Sequence, residues 1–80
     1  MVTVHRAYGF RFVMFTNDHA PPHVHVFGHS GEAKINLEAP DEVRLEWTVG
    51  INRNDLRKIL EEAQRLEPEL RRAWRKIHGQ

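Results

Sequence analysis

The chain contains no cysteine. That excludes a disulfide framework and any zinc site built on thiolates, and it suits a reducing compartment. Long apolar runs are missing too. The longest, Phe12 to Phe15, falls far short of the roughly 20 residues a membrane-crossing helix needs. No basic-then-apolar leader opens the chain, so the expectation is a soluble cytoplasmic protein with no membrane partner. An excess of one charge is likewise absent. Twelve Lys and Arg against eleven Asp and Glu leave a net charge of +1, too little by itself to imply nucleic-acid binding. No nucleotide-binding glycine loop, nucleophile elbow or helix-turn-helix pattern occurs. At 80 residues the chain is read as one domain over 1–80. A core of that size stabilises by only a few kcal/mol.

What the chain does have is histidine. Three of its six histidines fall within Asn17-Asp18-His19-Ala20-Pro21-Pro22-His23-Val24-His25. Asn17 and Asp18 are turn formers. Pro21 and Pro22 remove two N–H donors and stiffen the loop, and the residues before them are pushed toward extended geometry. A strand is expected on each side of this loop. Phe10 to Phe15 alternates Phe10, Phe12 and Met14 against Arg11, Val13 and Phe15. His23 to Phe27 puts His23, His25 and Phe27 on one face and Val24 and Val26 on the other.

Gly28-His29-Ser30-Gly31 reads as a tight turn into a third strand, Glu32 to Leu37. If the two glycines close it, Val26 meets Ala33, Val24 meets Ile35, His25 meets Lys34 and His23 meets Asn36. Apolar faces apolar and polar faces polar, an agreement that a one-residue slip would destroy. Val43 to Trp47 is expected as a further strand with Val43, Leu45 and Trp47 inward and Arg44 and Glu46 outward. Met1 to Gly9 alternates enough for a short edge strand, ending in a Tyr8-Gly9 turn. Both tryptophans are expected in the core.

Leu56, Ile59, Leu60, Ala63 and Leu66 follow helical spacing, and Leu70, Ala73, Trp74 and Ile77 continue it. Pro68 would break a single helix but suits a first turn. Two helices are predicted, 53–66 and 68–78, with Asn52 or Asn54 as cap. The fold class is α+β: a small antiparallel sheet of three to four strands, followed by two C-terminal helices packed on one face. Glu67 and Glu69 precede Arg71, Arg72, Arg75, Lys76 and His78, an order that suits the helix dipole. Read functionally, the same basic stretch is a patch for a polyanion.

Asp18, His19, His23 and His25 are the candidate catalytic residues, with Asn17, Lys34 and Asn36 as auxiliary polar groups. One chemistry is acid–base catalysis at a phosphodiester, one imidazole taking a proton while another gives one, with Lys34 or Arg11 steadying the developing charge. A second is a metal site on His19, His23 and His25, completed by Asp18. An ammonium on Lys34, opposite His25, counts against it, so the expectation is no cofactor, with a divalent metal as the alternative. A third reading gives the histidines no task beyond the fold, and His5, His29 and His78 are assigned to it.

The string Phe15-x-Asn17-Asp18-His19-x-Pro21-Pro22-His23-x-His25 resembles the signature of a family of small prokaryotic proteins known as a domain of unknown function. Tyr8-Gly9, the turn from Gly28 to Gly31 and Trp74 fit the same pattern, and the resemblance covers nearly the whole chain. Pro68 departs from it, since relatives tend to open the last helix with polar residues. Members of that family often sit beside a second small protein in an arrangement that looks like a toxin–antitoxin pair. The resemblance implies a small cognate partner protein and no particular activity. The reading is thus a component of a toxin–antitoxin-like module acting through its histidines, with RNA cleavage as the reaction. The alternative is a non-enzymatic module that binds a protein, RNA or DNA.

Overall fold

The computed structural model describes residues 1–79. Five strands form one antiparallel sheet in the order of the chain: β1 Val2–Ala7, β2 Phe10–Met14, β3 His23–Gly28, β4 Gly31–Asn36 and β5 Arg44–Val49. Two helices follow, α1 Arg53–Arg65 and α2 Glu67–His78. The α+β class and the two C-terminal helices agree with the sequence. The strand number does not, because the sheet has five strands rather than three to four. The N-terminal alternation is interrupted by a register shift between Thr3 and His5, yet β1 pairs with β2 along its length.

Two of the hairpins close through two-residue turns with both central residues left-handed. These are Tyr8 (φ 57°) with Gly9 (φ 80°), and His29 (φ 50°) with Ser30 (φ 65°). Such turns match the right-handed twist of the strands they join. Gly28 and Gly31 pair across the second one, with Val26 opposite Ala33, Val24 opposite Ile35, His25 opposite Lys34 and His23 opposite Asn36. This is the register that the polarity pattern demands. A side chain at Gly31 would collide with the backbone of Gly50.

The helices cover one face of the sheet. Phe10, Phe12, Met14, Val24, Val26, Ala33 and Ile35 meet Ile59, Ala63, Leu70 and Trp74 in one cluster. Asn52 caps α1, its side-chain oxygen accepting from the Asp55 N–H at 2.8 Å. Leu66 separates the helices, and Pro68 lies in the first turn of α2, where its missing N–H has no intrahelical partner to lose. Gly79 (φ 73°) ends α2 by donating to the Arg75 carbonyl. Buried Glu62 ties α1 to β1. It accepts from His5 at 2.6 Å and from Arg65 at 2.8 and 3.1 Å. The Arg65 guanidinium is the largest cause of a Glu62 carboxyl held below its ordinary value, with His5 adding to it against burial.

β5 departs from expectation in a way that matters. A register shift at Lys34/Ile35 lets Leu45 face Ile35 while Trp47 faces Lys34. Trp47 therefore leaves the core side for the open face and is 42% exposed, whereas Trp74 is buried as expected. No helix among the described residues is long and apolar enough to cross a membrane.

Candidate metal and acid–base site

β3 is the central strand, and its first and third residues, His23 and His25, project from the sheet face that carries neither Val24 nor Val26. The 15–22 loop folds back over them. The Asp18 N–H donates to the Phe15 carbonyl at 3.1 Å, closing a turn that swings the Asp18 carboxylate toward β3. Prolines cannot donate, but the Pro22 carbonyl accepts from the Leu37 N–H at 2.8 Å, which continues the β3–β4 ladder to the loop's last residue. The Ala20–Pro21 peptide is cis.

The loop and strand place three groups, Asp18, His23 and His25, around one point. His23 Nε2 lies 3.1 Å from Asp18 Oδ2, and its Nδ1 lies 2.9 Å from the Pro21 carbonyl oxygen. His25 Nε2 lies 3.9 Å from the same Asp18 oxygen, and its Nδ1 lies 3.3 Å from Glu32 Oε2. A carbonyl oxygen only accepts, so His23 Nδ1 must carry the proton. The Glu32 carboxylate oxygen likewise asks for N–H at His25 Nδ1. Both rings thus bear hydrogen on Nδ1 and turn Nε2 toward one carboxylate oxygen. Ligand atoms of Asp18, His23 and His25 all lie within 4.8 Å of one another.

The rings stand at 77° with centroids 5.2 Å apart. Trp74 packs against His23 at 5.1 Å, and Phe15 and Trp47 flank His25 at 5.2 and 6.3 Å. His23 is buried, whereas Asp18 and His25 are partly open to solvent.

Lys34 sits opposite His25, as the register requires, but its ammonium turns away to Glu46 at 3.1 Å. The objection that it would repel a bound dication loses its geometric basis. Glu46 also accepts from Asn36 at 3.3 Å. The Lys34 hydrogen bond is the largest cause of a Glu46 carboxyl held below its ordinary value, assisted by Asn36 and opposed by burial. Lys34 and Asn36 therefore form a satisfied network beside the cluster.

His19 and Asn17 are exposed in the loop, and neither is part of the cluster. Three further histidines are used by the fold. His5 bonds Glu62, His29 packs edge-on against Phe10, and His78 lies between the carbonyls of Phe15 and Trp74. In the basic stretch of α2, Arg71 pairs with Glu67 and donates to the Ala39 carbonyl, and Arg72 pairs with Glu69 at 3.5 Å. Glu32 and Glu46 are the residues that sequence reasoning missed. Glu32 was within reach, because alternation puts it on the face of Lys34 and Asn36, beside the histidines. Glu46 was placed outward by alternation, but the shifted register of β5 hid its contacts with Lys34 and Asn36.

A family model described as Domain of unknown function (DUF4160) matches residues 9–75. Nothing among the curated proteins or the solved structures matches the chain.

Proposed function

The chain belongs to the family described as Domain of unknown function (DUF4160), and we propose that within it Asp18, His23 and His25 form a divalent-metal centre that hydrolyses a phosphodiester. The observation that carries this reading is the shared orientation of the two imidazoles. Each ring donates Nδ1–H to an acceptor, the Pro21 carbonyl or the Glu32 carboxylate, and aims Nε2 at Asp18 Oδ2. Histidines that bind metal are held in this way, the second nitrogen tied to a carbonyl or carboxylate that fixes tautomer and ring plane. With Nδ1–H committed to the Pro21 carbonyl, the 3.1 Å contact between His23 Nε2 and Asp18 is a hydrogen bond only while the ring carries a second proton, and a lone pair facing a carboxylate once that proton leaves. A cation between them removes the repulsion. Ligand atoms of all three residues lie within 4.8 Å of one another, so Asp18, His23 and His25 are the groups that would hold the ion.

Two histidines and one carboxylate leave coordination positions open, the arrangement of a catalytic rather than a structural site. A bound dication would reverse the negative field of Asp18 and Glu32 and so attract a phosphodiester. An ion held by Asp18, His23 and His25 would supply an activated water for attack on phosphorus; the bond to the leaving ester oxygen would break as the new bond forms, and that oxygen would take its proton from solvent. Acid–base cleavage without metal is the weaker reading, because Asp18 Oδ2 already faces both Nε2 atoms, the position that the reacting phosphate oxygens would need. RNA is the proposed substrate. The proposed setting is a toxin–antitoxin-like module in the cytoplasm with a small cognate partner, a setting supported by the family resemblance.

The test is cleavage of a labelled single-stranded RNA by purified protein with Mn2+ or Zn2+ and with EDTA, and the effect of expression on growth. Cleavage should require the metal, and a His23→Ala/His25→Ala variant that still folds should lose both cleavage and any growth effect. Cleavage that persists in EDTA, or a double variant as active as the parent, would refute the proposal.

A further inference from the structure

The sheet face opposite the helices has a charge pattern that the metal cluster does not explain. Reading across the strands, one row runs Arg6, Arg11, Phe27, Glu32 and Val49, and the next runs Thr3, Val13, His25, Lys34 and Trp47. Arg6 stands directly opposite Arg11. Like charges in that relation destabilise a sheet, and no ion pair joins either arginine to an acid among the described residues. Arg11 is half-buried, with its guanidinium 5.9 Å above the Phe27 ring. The stem is therefore held while the charge stays free. At the other side of the face, Trp47 presents an exposed indole 6.3 Å from the His25 ring. Rows on one face lie about 7 Å apart and neighbouring strands about 4.8 Å, which puts Arg11 roughly 8 Å and Arg6 roughly 12 Å from His25 along the sheet.

We propose that this face binds a single-stranded polynucleotide, with Arg6 and Arg11 holding backbone phosphate and Trp47 stacking a base, so that the strand crosses the Asp18–His23–His25 cluster. The proposal names the substrate class of that cluster and rests on its reading as a phosphodiester-cleaving centre. Charge complementarity selects the occupant. An unpaired arginine pair costs the fold stability and is relieved by an anion, and an exposed indole on an antiparallel sheet offers a face that every base can stack on. Paired bases in a duplex hide those faces. The groups that do the binding recognise phosphate and base, not the 2′-hydroxyl, so RNA and DNA single strands both fit.

The test is fluorescence anisotropy with labelled 12-nucleotide single strands of RNA and DNA and with the corresponding duplex, all in EDTA so that metal plays no part. Both single strands should bind more tightly than the duplex. Log affinity should fall with log salt at a slope of about −1.4, two phosphates at roughly −0.7 each. Arg6→Gln/Arg11→Gln, which also relieves the like-charge contact, should weaken binding tenfold or more and flatten the slope. Trp47→Ala should weaken it about tenfold without changing the slope. No single-strand binding by the folded protein, equal binding to duplex, or affinities unchanged in both variants would overturn the proposal. Binding with these features and no cleavage in any metal would refute the hydrolytic reading and leave the binding face standing.

Discussion

His23 donates through Nδ1 to the Pro21 carbonyl and turns Nε2 toward the Asp18 carboxylate, 3.1 Å away. The residues that make the loop rigid are thus the ones that orient the ring. Pro21 supplies the acceptor that settles the tautomer, and the turn at Phe15–Asp18 supplies the carboxylate that the other nitrogen faces. The site is a property of loop and strand together.

Glu32 does for His25 what Pro21 does for His23. Its carboxylate accepts from Nδ1 at 3.3 Å and lies one strand away, on a partly exposed position where truncation leaves the core untouched. Glu32→Ala should keep the fold and weaken Zn2+ binding by tenfold or more. Competition with a chromophoric chelator measures it, and unchanged affinity would place Glu32 outside the site.

Glu46 keeps a cation out of the cluster by holding Lys34 at 3.1 Å. With Glu46→Gln the ammonium is free to swing back toward His25. A unit charge about 8 Å from a dication in a watery environment costs about 1 kcal/mol, or roughly fivefold in affinity. Adding Lys34→Ala to Glu46→Gln should restore the parental Zn2+ affinity. A double variant that stays weak would show that Glu46 acts by another route.

The polar hairpin was legible without coordinates because Gly28 and Gly31 fixed its register and polarity confirmed it. The two helices were legible because Pro68 forbids one. Trp47 was not. Its inward position follows from strict alternation, and one irregular residue opposite Lys34/Ile35 moves it to the other face. The fifth strand was obscured for a similar reason, by the shift at Thr3/His5. His23 and His25 could be placed on one face by counting, but the convergence of Asp18 depends on a loop whose path no periodicity encodes. Spacing alone could not separate Asp18 from its exposed neighbour His19.

The Glu62 contacts set a pH dependence. Arg65 and then His5 hold its carboxyl below the ordinary value of 4.5. A lowered folded pKa means that the unfolded chain takes up the proton first as pH falls. The stability from these contacts is present above 4.5 and is lost as pH drops through the folded value. Glu62→Gln should therefore destabilise the protein at neutral pH by about 1 kcal/mol, most of it from the His5 contact because Arg65 is solvent-exposed. The gap to the parent should shrink below the ordinary carboxylate range. Urea unfolding at pH 7 and pH 3.5 checks this, and a gap that widens in acid would contradict the assignment.

Ser30 occupies a left-handed position (φ 65°) that glycine adopts without strain. Ser30→Gly should raise stability by about 0.5 kcal/mol, the relief of a cost of ~1–2 kcal/mol less the extra chain entropy of glycine. Thermal unfolding would show it as a small rise in Tm, and a fall would contradict the turn geometry.

In the proposed centre both rings would offer Nε2 to one ion while Nδ1 keeps its hydrogen. Side-chain 15N NMR of the histidines during titration with Zn2+ measures this directly. One equivalent should move the Nε2 resonances of His23 and His25 together and leave both Nδ1 atoms protonated, with His19 unaffected. Nε2 resonances that ignore the metal, or coordination through Nδ1, would contradict it.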